Sequence, residues 1–357
     1  MPPISRLPHE DLEHVLTHTR SLWEAARGQS FFITGGTGFF GIWLLESFAQ
    51  ANDVLGLGMR ATVLTRDPAR FAVKAPHLVS RTDLHFIAGD IRSFPFPIGT
   101  FSHVIHGATA ASAQMNQELP REMLDVIIDG TRRTLDFAAQ AGTRKLLFIS
   151  SGAVYGRPPA EVTHIPEDYP GAPDPLLPAS AYGIGKRVAE HMCMVHGKRF
   201  DCEAKIARCF AFVGPHLPLD THFAIGNFIR DALKGRPLRV NNGRPLRSYL
   251  YASDLAIWLW TILFQAPSAR AYNVGSNAAL SITELAQTVS RVLGNSTVVD
   301  LTPPGEEGGL ISRYIPSVVR AEQDLGLRAR VPLEEAIRRT AGWWQTLNSG
   351  RASDRQL

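Results

Sequence analysis

FFITGGTGFFG, residues 31–41, runs four apolar or β-branched residues straight into a stretch with Gly35, Gly38 and Gly41 three apart. Phe31–Thr34 read as a buried strand and Phe39 onward as a helix, so the glycines fall on a strand-to-helix turn. Each then has a physical task. Gly35 permits the tight turn, Gly38 lets the backbone approach a pyrophosphate at the helix N-terminus, and Gly41 lets the helix pack against the strand. A turn without a ligand explains the same residues, and the stretch alone leaves both readings open.

Outward from this turn, strands and helices alternate. The strands are 31–34, 61–65, 84–88, 102–108, 145–151 and 203–212, with helices over 39–51, 119–141 and 179–199. Short buried-type strands separated by helices imply an α/β fold, a doubly wound parallel sheet covered on both faces. After residue 212 the pattern loosens into helices near 221–235, 253–265, 281–293 and 333–347. Before the glycine turn, Leu12, Val15, Leu16, Thr19, Leu22 and Trp23 recur at helical spacing and predict an amphipathic helix packed outside the domain or on a partner. The chain therefore divides into a helical extension (1–30), an α/β domain opening on the glycine turn (31–212), a smaller lobe interleaved with it (213–347) and a tail (348–357).

Composition narrows the class. Apolar residues at 45% and charged residues at 20% are those of a globular protein, and the net charge of +4 is scattered, which argues against a nucleic-acid partner. Cys193, Cys202 and Cys209 are odd in number and form no CxxC pair, which points to reduced thiols and no metal site. No segment approaches a membrane span, and the acidic, proline-bearing start MPPISRLPHEDLEHVL does not read as a signal peptide. A cytoplasmic protein is expected.

Tyr182 and Lys186 are four apart and share a helix face. A lysine ammonium beside a phenol favours phenolate, which lowers the tyrosine pKa toward working pH and suits it to take a proton from a substrate hydroxyl while hydride leaves the same carbon. With the glycine turn, GDIR (89–92), SSGAVYG (150–156), Tyr182-Gly-Ile-Gly-Lys186, RSYLYASDLA (247–256) and YNVGS (272–276), the chain from 31 to about 347 resembles the extended short-chain dehydrogenase/reductase family. Most members of that family act on nucleotide-diphosphate sugars on a Rossmann-type sheet.

The resemblance implies a catalytic set of Ser151, Tyr182 and Lys186. It implies cofactor contacts from Gly35, Thr37, Gly38, Phe39, Phe40, Gly41, Arg66, Asp90, Ile91, Ala108, Thr109 and Ser150, as well as from Tyr182 and Lys186. It implies substrate contacts from Ser151, Asn227, Arg247 and Arg313, the two arginines on the diphosphate. His106 reads as a structural histidine, and His216 and His222 receive no role. Arg66 after the second strand favours the 2′-phosphate of NADP, while Asp67, one residue on, keeps NAD open.

Members that eliminate water or decarboxylate usually carry acids where this chain has Gly152 and Ala153; Glu167 or Asp168 could substitute. Ile127 and Ala211 stand where the family usually has Asn, which bears on substrate identity. The expected activity is epimerisation or 4-keto reduction at a sugar ring carbon, C4 first. A 4,6-dehydratase and a non-catalytic dinucleotide-binding member are the alternatives. The resemblance also implies a homodimer through helices 119–141 and 179–199.

Overall fold

The computed structural model describes residues 6–109, 113–221, 223–294, 297–301 and 311–353. Strands β1 (Ser30–Thr34), β2 (Arg60–Thr65), β3 (Leu84–Ala88), β4 (His103–His106), β5 (Lys145–Ser151) and β6 (Glu203–Cys209) follow the expected order. Short strands come next: β7 (Phe212–Val213), β8 (Leu238–Val240), β9 (Leu246–Arg247) and β10 (Leu250–Tyr251). β11 (Arg270–Val274), β12 (Leu280–Ser281), β13 (Val298–Asp300) and β14 (Arg313–Tyr314) complete the strands among the described residues.

The central sheet has seven strands in the order β11-β6-β5-β4-β1-β2-β3, all parallel. The run reverses direction between β1 and β4. A crevice opens at such a switch point beyond the carboxyl ends of the strands, and ligands of open α/β sheets bind there. The run expected as one strand over 203–212 breaks after Cys209 and resumes at Phe212, where β7 leaves to pair with β10. β11, from the stretch expected to form the smaller lobe, returns to close the edge beside β6.

The helices are α1 (His9–Thr19), α2 (Phe39–Leu55), α3 (Pro68–Lys74), α4 (Pro76–Val79), α5 (Ala113–Glu118) and α6 (Pro120–Gln140). They continue with α7 (Ala181–Phe200), α8 (Ala224–Leu233), α9 (Ala252–Gln265), α10 (Ile282–Leu293), α11 (Val319–Leu325) and α12 (Leu333–Ser353). None among the described residues is long and apolar enough to cross a membrane. α2 and α9 cover one face of the sheet through Trp43, Phe48, Trp258 and Trp260, all fully buried. α6 and α7 cover the other, through Met123, Ile127, Phe137 and Ala189.

α1 lies on α2 and α9 and is tied in by a buried carboxylate. Asp11 accepts from the Tyr251 hydroxyl at 2.6 Å and from Arg339 at 2.8 Å. The helix ends at Thr19, sooner than its periodicity predicts. Leu22 and Trp23 belong to a 3₁₀ segment, Arg20–Ala26, where the Trp23 indole donates to Thr19 Oγ1 at 3.0 Å. The extension packs within this chain, on its own core.

Candidate active site

The glycine turn leads from β1 into α2. Gly35 has φ +77°, and a Cβ there would lie 2.6 Å from the Gly107 carbonyl carbon. A Cβ on Gly41 would run into the backbone of Gly35 and Gly36. Gly38 is the N-cap of α2, in an extended conformation, and no side chain caps the helix. The first-turn amides beyond Thr37 and Gly38, those of Phe39, Phe40 and Gly41, are left for an anion, at the positive end of a seventeen-residue helix dipole. Phe40 is fixed edge-on against Phe212, ring centres 5.0 Å apart.

Across the switch point, Thr34 Oγ1 accepts from the amides of Gly107 and Ala108, both at 3.2 Å, and bonds His106 Nδ1 at 2.8 Å. His106 Nε2 meets Thr131 at 3.1 Å, and burial pushes the imidazole pKa down to about 3. His106 is thus a neutral hub that fixes the turn. Thr109 Oγ1, next along, is buried with no partner among the described residues. An open helix terminus, a cradle that admits no side chains and an orphaned hydroxyl fit a dinucleotide lying across the crevice.

β2 ends at Thr65, so Arg66 is the first residue past the strand and is exposed. Asp67 is spent as the N-cap of α3, accepting from the Arg70 amide at 2.8 Å. Asp90 is clasped by Arg92 through Nε and Nη2, both at 2.9 Å, which holds its carboxyl below the usual range. Ile91 is buried against α6, where a Cβ on Gly130 would come within 3.0 Å of it.

β5 delivers Ser150 and Ser151 to the crevice, and strand alternation turns them to opposite faces. Ser150 donates to Glu190 on α7 at 2.5 Å, and Glu190 is gripped by Arg208 with its closest contact at 2.7 Å. Ser151 faces the other way. Its Oγ accepts from the Ala153 amide at 3.2 Å and lies 3.4 Å from the Tyr314 hydroxyl. α7 reaches this strand closely because Gly183 has no side chain; a Cβ there would lie 2.6 Å from the Ala153 carbonyl oxygen. Asn116 holds the start of α7 by accepting from the Tyr182 amide at 2.9 Å and donating to Ala179 at 2.6 Å.

Tyr182 stands near Ser151, whose hydroxyl favours its ionised form. The expectation that Lys186 lowers its pKa is corrected here. Burial dominates and pushes the phenol up to about 12, while the Ser151 hydroxyl pulls weakly the other way. Phenolate then costs roughly 3 kcal/mol more than in water. Lys186 Nζ stands 6.0 Å from the Tyr182 ring centre, donates to the Ile149 carbonyl at 2.9 Å and lies over Phe148. Burial depresses its own pKa to about 8. The protein alone therefore keeps Tyr182 protonated, and further positive charge in the crevice is needed to ionise it.

Arg247 on β9 is largely buried, and no carboxylate among the described residues pairs with it. Its guanidinium donates to the Leu246 and Ser312 carbonyls at 2.8 and 3.1 Å, and burial lowers its pKa. An interior cation without a counter-ion suits an anionic ligand. Arg313 is not brought beside it. β14 pairs in parallel with β9 with Arg313 opposite Leu246 and Tyr314 opposite Arg247, so Tyr314 shares the arginine's face. Arg313 instead donates to the Ala160 carbonyl. Asn227 on α8 accepts from Arg230 at 2.9 Å, a bond within its own helix.

The two departures at family Asn positions have local reasons. Ile127 is buried between α6 and α7 against Gly185, and Ala211 uses its carbonyl to accept the Leu250 amide at 3.0 Å. Glu167 accepts from the Asn273 amide at 2.9 Å and faces Arg320, so it belongs to a buried network; Asp168 is exposed. His216 is buried against Trp343, and His222 lies outside the described residues. Sequence reading missed Tyr314 and Phe210, the residues that crowd Ser151. The two-residue alternation of Arg313 and Tyr314 was the available signal, and it was taken on the wrong residue.

A family model described as "NAD dependent epimerase/dehydratase family" matches residues 31–275. The chain belongs to this family. The matched span holds the glycine cradle, Ser151, Tyr182, Lys186 and Arg247, and ends before Tyr314. UDP-glucuronic acid decarboxylase 5 of Arabidopsis thaliana is 30% identical over 311 residues, covering 85% of this chain and 86% of that protein. UDP-glucuronic acid decarboxylase 1 of Xenopus tropicalis is 28% identical over 345 residues, 96% of this chain and 75% of that protein. Among solved structures, UDP-glucose 4-epimerase of Thermus thermophilus with NAD superimposes with a TM-score of 0.71 at 25% identity, covering 89% of this chain and 99% of the other. The protein is an extended short-chain dehydrogenase/reductase-type enzyme of the epimerase/dehydratase family, with that family's NAD-binding sheet.

Proposed function

We propose that this enzyme transfers hydride at a ring carbon of a nucleotide-diphosphate sugar, C4 first, as an epimerase or a 4-keto-sugar reductase. The observation that carries the reading is the pairing of Tyr182 with Ser151 at a site where positions 152 and 153 offer no carboxylate. Tyr182 Oη takes the proton of the reacting hydroxyl or returns it to the ketone. Ser151 Oγ holds the same oxygen, and Lys186, cationic below about pH 8, stands on the same helix face. A bound nicotinamide supplies the hydride acceptor or donor, and the positive charge of its oxidised form favours Tyr182 phenolate. Arg247 meets the diphosphate.

Elimination of water needs an acid for the leaving hydroxyl. The nearest sequence candidate, Glu167, is tied to Asn273 and Arg320. Decarboxylation is the second reading, favoured by the names of the curated relatives. Arg66, with Asp67 spent as a helix cap, supports NADP(H) over NAD(H). The exposed Val188 and Val195 on α7 support a homodimer through α6 and α7, which light scattering would reveal.

The test incubates the protein with UDP-glucose or UDP-glucuronic acid and each oxidised cofactor, then analyses the sugar nucleotide by mass spectrometry and chromatography. A product of unchanged mass and altered retention is expected of an epimerase, and one two hydrogens lighter, with reduced cofactor, of a 4-keto-sugar reductase running in reverse. Loss of carbon dioxide from UDP-glucuronic acid would move the enzyme to the decarboxylases. No turnover of any nucleotide sugar, with cofactor binding intact, would place it among the non-catalytic members. Arg66→Asp should weaken NADPH binding at least tenfold while sparing NADH; equal loss of both would count against the NADP assignment.

A further inference from the structure

The matched family span leaves out β14, yet this strand sends a phenol into the heart of the site. The Tyr314 ring packs against Phe210 with centres 4.6 Å apart. Its hydroxyl donates to the carbonyl of Cys209, on the strand next to β5, at 3.5 Å and lies 3.4 Å from Ser151 Oγ. A Cβ on Gly152 would stand 2.8 Å from that hydroxyl and 2.7 Å from Phe210 Cζ. Tyr314 and a side chain at position 152 therefore claim the same space, and this chain gives it to the phenol.

We propose that Tyr314 is a positioning residue for the reaction: it donates a hydrogen bond to Ser151 Oγ and so turns the serine's own proton toward Tyr182 and the reacting oxygen. The argument is one of hydroxyl valence. A serine hydroxyl has two acceptor lone pairs and one proton. The Ala153 amide fills one lone pair; the phenol proton, shared between the Cys209 carbonyl and Ser151 Oγ, fills the other, and Ser151 is then left with its own proton to offer. Burial pushes the Tyr314 phenol above its ordinary value of 10, so it stays a donor throughout the working range. The other ionisable groups facing it are Tyr182, the Cys209 thiol and Arg247. The Cys209 thiol is itself raised by burial and neutral, and Arg247 stands on the neighbouring strand.

This inference rests on the reading of Ser151 and Tyr182 as the proton-handling pair, so its test has an arm that needs no sugar. The first arm follows phenolate absorbance of the whole protein against pH, taking wild type minus Tyr182→Phe to isolate Tyr182. Tyr314→Phe keeps the ring and removes the donor, and it should raise the Tyr182 midpoint by about half to one pH unit, since Ser151 then stabilises the phenolate less well. The second arm measures hydride transfer with the nucleotide sugar found to react. Tyr314→Phe should lower kcat roughly tenfold with KM unchanged. In a Ser151→Ala background the same change should alter kcat less than about twofold, because the serine it acts through is gone. An unmoved Tyr182 midpoint, or a full tenfold loss in the Ser151→Ala background, would overturn the proposal. A moved midpoint with no sugar turned over would leave Tyr314's role standing and sink the proposed function instead.

Discussion

At the scale of single residues, the site is decided by what stands at position 152. In a site with an acid there, a second proton donor is built into the serine turn; here Gly152 yields its space to Phe210 and Tyr314. Gly152→Asp should destabilise the protein by about 1–3 kcal/mol, because two packed rings must give way. It should also fail to create dehydratase activity. Thermal unfolding and product analysis check both halves, and a stable variant that eliminates water would contradict the packing argument. Ser151 came to notice through the family resemblance, and Tyr182 and Lys186 through that resemblance and their four-residue spacing. Tyr314 did not, because its place depends on a parallel register with β9, more than sixty residues away in sequence. The pKa of Tyr182 was misjudged for a related reason. A four-residue spacing places Lys186 on the same face, but it does not reveal that burial sets the pKa of the phenol.

Among the elements, the strand-turn-helix of β1 and α2 carries the ligand assignment. Two of its glycines, Gly35 and Gly41, stand where a Cβ has no room, whereas a Cβ on Gly38 would meet only ordinary contact. Gly41→Ala should force α2 away from the turn and cost several kcal/mol of stability, with cofactor binding weakened in step. Differential scanning fluorimetry with and without NADH reads both. Unaltered stability and an unaltered ligand-induced shift would mean the turn is only a turn. The seven-residue strand β6 was overextended in the sequence reading because Cys209 to Val213 is a continuous apolar run. Periodicity cannot distinguish a strand that continues from one that breaks and changes sheets. The N-terminal helix was similarly overextended to Trp23, where a tighter 3₁₀ segment keeps the apolar residues inward.

Considered as a whole, the molecule buries four histidines among the described residues, and three of them, His103, His106 and His216, are pushed down to about 3 mainly by burial. A histidine whose folded pKa lies below its unfolded value of 6.5 leaves stability untouched above that value and erodes it as pH falls toward 3. If the three behaved alike, folding would lose about 5 kcal/mol between pH 7 and pH 5. His216 is the cleanest probe, since neither ring nitrogen has a partner among the described residues and its ring rests on Trp343 at 4.4 Å. His216→Phe should leave stability at pH 7 nearly unchanged and remove about a third of the acid loss in denaturant midpoints. An unchanged pH dependence would show that the ring is not held neutral by burial.

The account's central claim is that Tyr182, in a dinucleotide-binding crevice, exchanges a proton with a nucleotide sugar as hydride moves. The most direct measurement mixes cofactor-loaded protein with UDP-glucose or UDP-glucuronic acid and follows nicotinamide absorbance in a single turnover, for wild type and for Tyr182→Phe. The expected result is a rapid appearance of reduced cofactor in wild type that slows by roughly 100-fold or more in the variant, with sugar and cofactor affinity preserved. Reduction at the wild-type rate in Tyr182→Phe would contradict the account.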